Sequence, residues 1–217
     1  MYRAAIFDLD GTILNTIEDL QTAMNHMLRD FGFPERELDY HKKSVGSGVR
    51  RYVQNCLPHC HRDDGALISR CVETMNRYYA GNWNQKTRPY DGILDCMKQM
   101  LSCGMKLNVL SNKIHPATNA MVQAFFSEIP FSFIWGEREG VPRKPDPTAA
   151  LDIASRLSIP PDKFLFIGDS SFDMLTAKNA GMYAVGAAWG YQPRVMLEET
   201  GADYIADSPK DLCRLIG

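Results

Sequence analysis

Apolar positions along the chain follow two different periods. Ala4, Ala5, Ile6 and Phe7 form a short unbroken run, the signature of a strand buried on both faces. Ile17, Leu20, Met24, Met27, Leu28 and Phe31 then recur at helical spacing, with Asn15 or Thr16 as a cap and Gly32 at the exit. From Phe33 to about Asn82 no strand pattern occurs. Val49, Tyr52, Val53, Cys56 and Leu57 predict one helix ended by Pro58; Leu67, Cys71, Met75, Tyr78 and Tyr79 predict another ended by Gly81. After that the two periods alternate. Helical PYDGILDCMKQMLSCG precedes strand-like KLNVLSNK, PATNAMVQAFF precedes FSFIWG, and RKPDPTAALDIASRL precedes KFLFIGD. DMLTAKNAG, MYAVGAAWG and ADYIADSPKDLCRLI close the chain as a helix, a strand, and a last strand and helix. Strands alternating with helices predict an α/β fold, a doubly wound parallel sheet built from residues 1–14 and 83–217. Residues 15–82 are predicted to form an all-helical insert, joined through segments near Leu14–Thr16 and Asn82–Lys86.

Composition narrows the possibilities. With 217 residues, 45% of them hydrophobic, the chain can bury one core plus a smaller insert. A formal charge of −2 and the lack of a basic block argue against nucleic acid as a partner; Arg50 and Arg51 make only a short basic spot. No apolar run is long enough for a bilayer, and MYRAAIFDLD lacks the layout of a signal peptide, so a cytoplasmic location with six reduced cysteines is expected.

Three strand-like runs end in polar clusters: Asp8 and Asp10, Ser111 and Asn112, Asp169 and Asp173. Residues two apart on a strand share a face, so Asp8 and Asp10 crowd two carboxylates at the end of an apolar element. Each cluster alone reads equally well as a turn or a helix cap. In parallel sheets, however, the carboxyl ends of the strands line the ligand crevice, where the clusters and Lys144 converge. Four carboxylates (Asp8, Asp10, Asp169, Asp173) with no Cys or His among them favour Mg²⁺, which commonly meets a phosphate. Lys144, Ser111, Asn112 and the amides around Gly11 and Thr12 are candidates to hold that phosphate. Asp8 is placed to attack phosphorus and Asp10 to act as general acid and base.

DLDGT, a strand ending in SN, KPDP and GDSSFD, in this order, resemble the haloacid dehalogenase superfamily, and the insert after the first motif resembles its subclass with a helical cap. The resemblance spans nearly the whole chain. It implies Asp8 as nucleophile, Asp10 as acid/base, Ser111 as phosphate ligand and Lys144 as the lysine that steadies both. It also implies Mg²⁺ held by Asp8, the Asp10 carbonyl and Asp169, with Asp173 beside it. The paired Asp8 and Asp10 match the phosphatase branch. Within it, GADYIADSPKDL and VGSGVRRY are similar to the phosphoglycolate phosphatase group; Leu20 stands where mutase members carry histidine, and Asn15 where many members have Asp.

The expected substrate is a small phosphate ester, phosphoglycolate first, with pyrophosphate and sugar phosphates as alternatives. The protein is expected to act as a monomer or homodimer. A phospho-aspartate signalling module shares the acidic strand ends but lacks the helical insert. Gly46, Gly48 and Arg50 are read as a loop that selects the leaving group, against a plain interhelical loop. Cys56, His59, Cys60 and His61 fall within one short stretch and are read as a helix end rather than a zinc site.

Overall fold

The computed structural model describes residues 1–216. In chain order its elements are β1 (Ala4–Phe7), β2 (Leu14–Asn15), α1 (Ile17–Asp30), α2 (Leu38–Ser44), α3 (Val49–Cys56), α4 (Gly65–Asn82), β3 (Arg88–Pro89), α5 (Ile93–Ser102), β4 (Lys106–Ile114), α6 (His115–Phe126), β5 (Phe133–Glu137), α7 (Thr148–Leu157), β6 (Phe164–Gly168), α8 (Ser171–Ala180), β7 (Tyr183–Ala187), α9 (Arg194–Glu199) and β8 (Tyr204–Ala206). Short 3₁₀ helices cover His59–His61, Pro161–Lys163 and Pro209–Leu215. The chain divides into two compact units, one of Met1–Leu14 with the segment from Pro89 on, the other Asn15–Arg88.

The first unit holds a six-stranded sheet in the order β5-β4-β1-β6-β7-β8. Its strand pairs are parallel: β1 runs between β4 (Ala4 opposite Lys106) and β6 (Ala4 opposite Phe164). The chain thus builds outward from β1 first to one side and then to the other, and β1 sits at the switch of direction where such sheets open a crevice. All four residues of β1 are fully buried, which is why the run is apolar without alternation. Ile6, Phe164, Phe166, Ile153 and Met174 belong to one core layer of this unit. Asp8 follows β1 directly and Asp169 follows β6, so the β1–β6 register, in which Phe7 pairs with Ile167, brings the two carboxylates to the same sheet edge.

The second unit is helical. Leu20, Met24, Met27 and Leu28 of α1 join Tyr52, Val53 and Cys56 of α3 and Ile68, Cys71 and Met75 of α4 in its core. Asp19, in the first turn of α1, is buried and accepts hydrogen bonds from the Lys86 amide and from the Thr87 amide and hydroxyl (2.8–3.1 Å). Those bonds tie the returning segment to α1. Two short helices have no counterpart in the apolar pattern. α2 turns inward only His41 and Ser44, and α9 only Leu197, so neither carries an apolar period to read. Gly81 does not end α4, which continues through Asn82, and the C-terminal helix is a 3₁₀ helix. Among the described residues no helix is long and apolar enough to cross a membrane.

His41 anchors a buried polar network in this unit. Its Nδ1 lies 2.7 Å from the Tyr52 hydroxyl, and its Nε2 lies 3.1 Å from the Arg36 carbonyl and 3.2 Å from Asn25 Oδ1. A neutral ring with the proton on Nε2 satisfies all three. Burial, with Arg36 nearby, pushes the imidazole down to about 4. The unfolded chain therefore binds the proton first, and stability from this group is lost as pH falls from about 6.5 toward 4. Between pH 7.5 and pH 5 the loss is expected to be about 2 kcal/mol. Urea unfolding at the two pH values, compared between wild type and His41→Gln, measures it; an equal pH dependence in both proteins would contradict this.

Candidate active site

The site is built where β1, β4 and β6 end. Lys144, on the loop before α7, is buried, and its ammonium lies 2.7 Å from Asp8 Oδ1 and 2.6 Å from Asp173 Oδ1. Burial alone would lower the lysine pKa; Asp173 and Asp8 outweigh it and hold the ammonium charged above its usual range. Burial pushes Asp8 up to about 7, with Lys144 pulling down and Asp173 and Asp10 pushing further up. Asp169 is raised well above the carboxylate range by burial and by Asp8 and Asp173, relieved in part by the Tyr191 amide and Lys144. Asp8, Asp169 and Asp173 each offer an oxygen within 4.8 Å of the others, and all three are buried.

Close packing against glycine makes this crowding possible. A Cβ on Gly11 would fall 2.2 Å from Asp169 Oδ2, on Gly168 2.2 Å from Asp173 Cβ, and on Gly190 2.1 Å from Asp169 Cβ. Gly11 also sits at φ +87°, a backbone state that side chains disfavour. The segment after β7 completes the wall. The Trp189 indole donates to the Thr12 carbonyl (3.0 Å), and the Tyr191 amide donates to Asp169 Oδ2 (2.7 Å). From sequence, WGY (Trp189, Gly190, Tyr191) fits either the last sheet edge or a wall of the cleft; the structure takes the second, with the Trp189 indole and the Tyr191 amide reaching the segments after β1 and β6. Their signal was present in the tripeptide WGY, where only a glycine between two aromatic residues admits so near an approach.

Each expected residue has a definite place. Ser111 is buried at the β4 end, its Oγ accepting from the Lys113 amide (3.2 Å). Asn112, a candidate to hold phosphate, clamps the backbone of Lys144 at two points: its Oδ1 accepts from the Lys144 amide (2.9 Å) and its Nδ2 donates to the Lys144 carbonyl (3.2 Å). Gly11 and Thr12 were expected to cradle phosphate through their amides. The Gly11 amide donates to the Leu14 carbonyl (2.8 Å) and the Thr12 amide to the Leu9 carbonyl (3.4 Å), so both serve the turn. The Thr12 hydroxyl donates to Asp169 Oδ1 (3.3 Å). Asp173 lies in the carboxylate group, yet both its oxygens are engaged: Oδ1 by Lys144, Oδ2 by the Ser170 amide (3.1 Å) and hydroxyl (2.6 Å), which also caps α8.

Asp10 is gripped by Lys113, whose Nζ lies 2.7 and 3.0 Å from its two oxygens. Sequence reasoning passed over Lys113, although the alternation that pairs Asp8 with Asp10 also pairs Ser111 with Lys113. Gly46, Gly48 and Arg50 belong to the helical unit, where Gly48 precedes α3 and the Arg50 guanidinium donates to Ser69 Oγ (3.1 Å). Cys56 is buried 3.9 Å from His41 while Cys60 is exposed, and among the described residues the Asp8, Asp169 and Asp173 set alone has metal-binding spacing.

The chain is similar to known proteins over its whole length. A phosphoglycolate phosphatase of Aquifex aeolicus is 30% identical over 214 residues, 99% of this chain and 96% of that protein. Another, of Pseudomonas syringae pv. syringae, is 33% identical over 94% of this chain and 76% of its own. A solved structure from Lactobacillus delbrueckii subsp. bulgaricus matches with a TM-score of 0.92 at 33% identity, over 99% of this chain and 98% of its own. The family profile of haloacid dehalogenase-like hydrolases matches residues 5–187. Carried by that match and by the full-length relatives, the ordered strand-end carboxylates identify the chain as a member of the haloacid dehalogenase-like hydrolase family.

Proposed function

We propose that this chain is a Mg²⁺-dependent phosphatase that hydrolyses a small phosphomonoester through a phosphorylated Asp8, with phosphoglycolate as its first substrate. The observation that carries the reading is the buried Lys144 ammonium held between Asp8 and Asp173 beside Asp169. It aligns one carboxylate as a nucleophile and leaves a fixed positive charge where a phosphoryl group would sit. The relatives named for phosphoglycolate support the substrate.

The donor set fits Mg²⁺. It consists of hard oxygens, and burial together with the neighbouring carboxylates raises Asp8 and Asp169 despite Lys144, a cost that a bound cation would relieve. Asp8, Asp169 and the Asp10 carbonyl would hold the ion, and Asp173 would serve by holding Lys144. When bound, Mg²⁺ would neutralise charge on the carboxylates and on the phosphoryl oxygens. In the first step an Asp8 oxygen bonds to phosphorus, the bond from phosphorus to the leaving oxygen breaks, and Asp10 gives that oxygen its proton. In the second, water attacks the phosphorus, its proton passes to Asp10, and the bond to Asp8 breaks to release inorganic phosphate. Lys144 and the Ser111 hydroxyl stabilise the transferring oxygens. We assign choice of the leaving group to the helical unit, through Gly46, Gly48 and Arg50.

The test is phosphate release over a panel of phosphoglycolate, pyrophosphate, sugar phosphates, nucleoside monophosphates and an aryl phosphate. Turnover is expected to require Mg²⁺, vanish with chelator and return on adding the ion. Phosphoglycolate is expected to lead in kcat/KM by at least about tenfold, a difference of roughly 1.4 kcal/mol in transition-state binding. Folded protein that turns over none of these esters would sink the reading.

A further inference from the structure

We propose that Lys113 is a positioning residue for phosphoryl transfer: its ammonium grips both oxygens of Asp10 and fixes the carboxyl group that serves the leaving oxygen. The inference rests on the acid/base role proposed above for Asp10. The pair is nearly closed to solvent, with side-chain exposures of 9% for Lys113 and 14% for Asp10. Shielded from water and salt, such a contact orients more firmly than a surface ion pair.

Lys113 is itself held at both ends. Its amide donates to Ser111 Oγ (3.2 Å), and its carbonyl accepts from the Thr118 hydroxyl (3.2 Å). Gly136 of β5 presses on the same carbonyl, which would lie 2.5 Å from a Cβ placed there. The register of β4 against β5 shifts between Leu110 and Ile114, a local irregularity of the strand that carries Ser111 and Lys113. The backbone is therefore anchored where the side chain must cross from β4 to the turn after β1. Two bonds from one ammonium, one to each oxygen, fix the orientation of the carboxyl group.

Proton delivery matters only when the departing oxygen is basic. As the bond from phosphorus to oxygen breaks, an alkoxide takes the Asp10 proton, whereas a nitrophenolate leaves without it. The value of kcat/KM reports the steps up to transfer onto Asp8, so it separates the two cases. In Lys113→Met, which keeps the apolar stem, kcat/KM for an alkyl phosphate such as phosphoglycolate is expected to fall about 100-fold or more. For p-nitrophenyl phosphate it is expected to fall less than about threefold, while kcat falls further because attack of water on phospho-Asp8 still needs Asp10. Lys113→Arg, which keeps a charged fork, is expected to restore most of the alkyl activity. Equal losses in kcat/KM on both esters, no loss on either, or no rescue by arginine would overturn the proposal, and the arginine variant alone decides it where the methionine variant does not fold. Wild-type protein inactive on both esters would instead remove the phosphatase reading itself.

Discussion

Asp8→Asn is expected to abolish turnover, by at least about 10⁴-fold in kcat, while leaving a folded and more stable metal-free protein. An amide of the same shape retains an oxygen that can accept from Lys144, whose other partner, Asp173, remains 2.6 Å away. What disappears is the nucleophile and one of three buried carboxylates. The second effect has a sign. Asp8 in the folded chain is pushed up to about 7, above the value it has when unfolded. Its contribution to stability is therefore complete below the usual carboxylate range and is lost as pH rises through about 7, where the native state must ionise a buried acid. Metal-free wild type should accordingly melt several degrees below Asp8→Asn at pH 8 and close to it at pH 4. Assays with Mg²⁺ and melting scans in chelator at both pH values measure the two halves separately. A variant that is both inactive and less stable at pH 8 would mean that the Asp8 carboxylate supports the fold, which contradicts the electrostatic account.

The strand ends were legible because parallel sheets impose a simple rule. Apolar runs mark the strands, and whatever polar residues follow them share one edge. Asp8, Asp10, Ser111, Asp169 and the incoming Lys144 could be assembled on that rule, and the helical insert declared itself through the missing strand period between Phe33 and Asn82. The rule gives the neighbourhood and stops short of the contacts. Asn112 and the Thr12 amide are candidates for phosphate by position, and only the fold reveals that the Asn112 side chain clamps the Lys144 backbone and that the Thr12 hydroxyl turns to Asp169. Both are local competitions for hydrogen bonds, decided by a few ångströms that periodicity does not encode. Lys113 was within reach of the same alternation argument that exposed Asp8 and Asp10. Its partner stays hidden because nothing in a linear sequence reports that Asp10 lies across from it.

Gly190→Ala, a change of one methyl group on a loop, is expected to cut kcat/KM about 100-fold and to raise the Mg²⁺ needed for half-maximal activity by about 10- to 100-fold. The added carbon would sit 2.1 Å from Asp169 Cβ, 2.6 Å from Asp169 Oδ2 and 2.6 Å from the Gly11 carbonyl. Neither obstacle is a flexible side-chain tip. Asp169 follows the buried strand β6, and Gly11 lies in the turn that carries Asp10. The loop cannot retreat cheaply either, since the Trp189 and Tyr191 hydrogen bonds on both sides of Gly190 hold it to the same two segments. Some of the strain must reach Asp169, and overpacking of this kind costs about 1–3 kcal/mol of stability. Gly81→Ala supplies the contrast. Apart from its chain neighbours and the backbone of its own helix, no atom lies within 4 Å of its Cβ position in the last turn of α4, and alanine there should stabilise by about 0.5–1 kcal/mol with activity unchanged. Mg²⁺ titrations of both variants with one ester decide the matter. If Gly190→Ala keeps the wild-type Mg²⁺ requirement, the loop is a wall of the site that does not hold Asp169 in place. If only its Mg²⁺ requirement rises and kcat at saturating Mg²⁺ is intact, Asp169 acts through the ion and not through the geometry of Asp8 and Lys144.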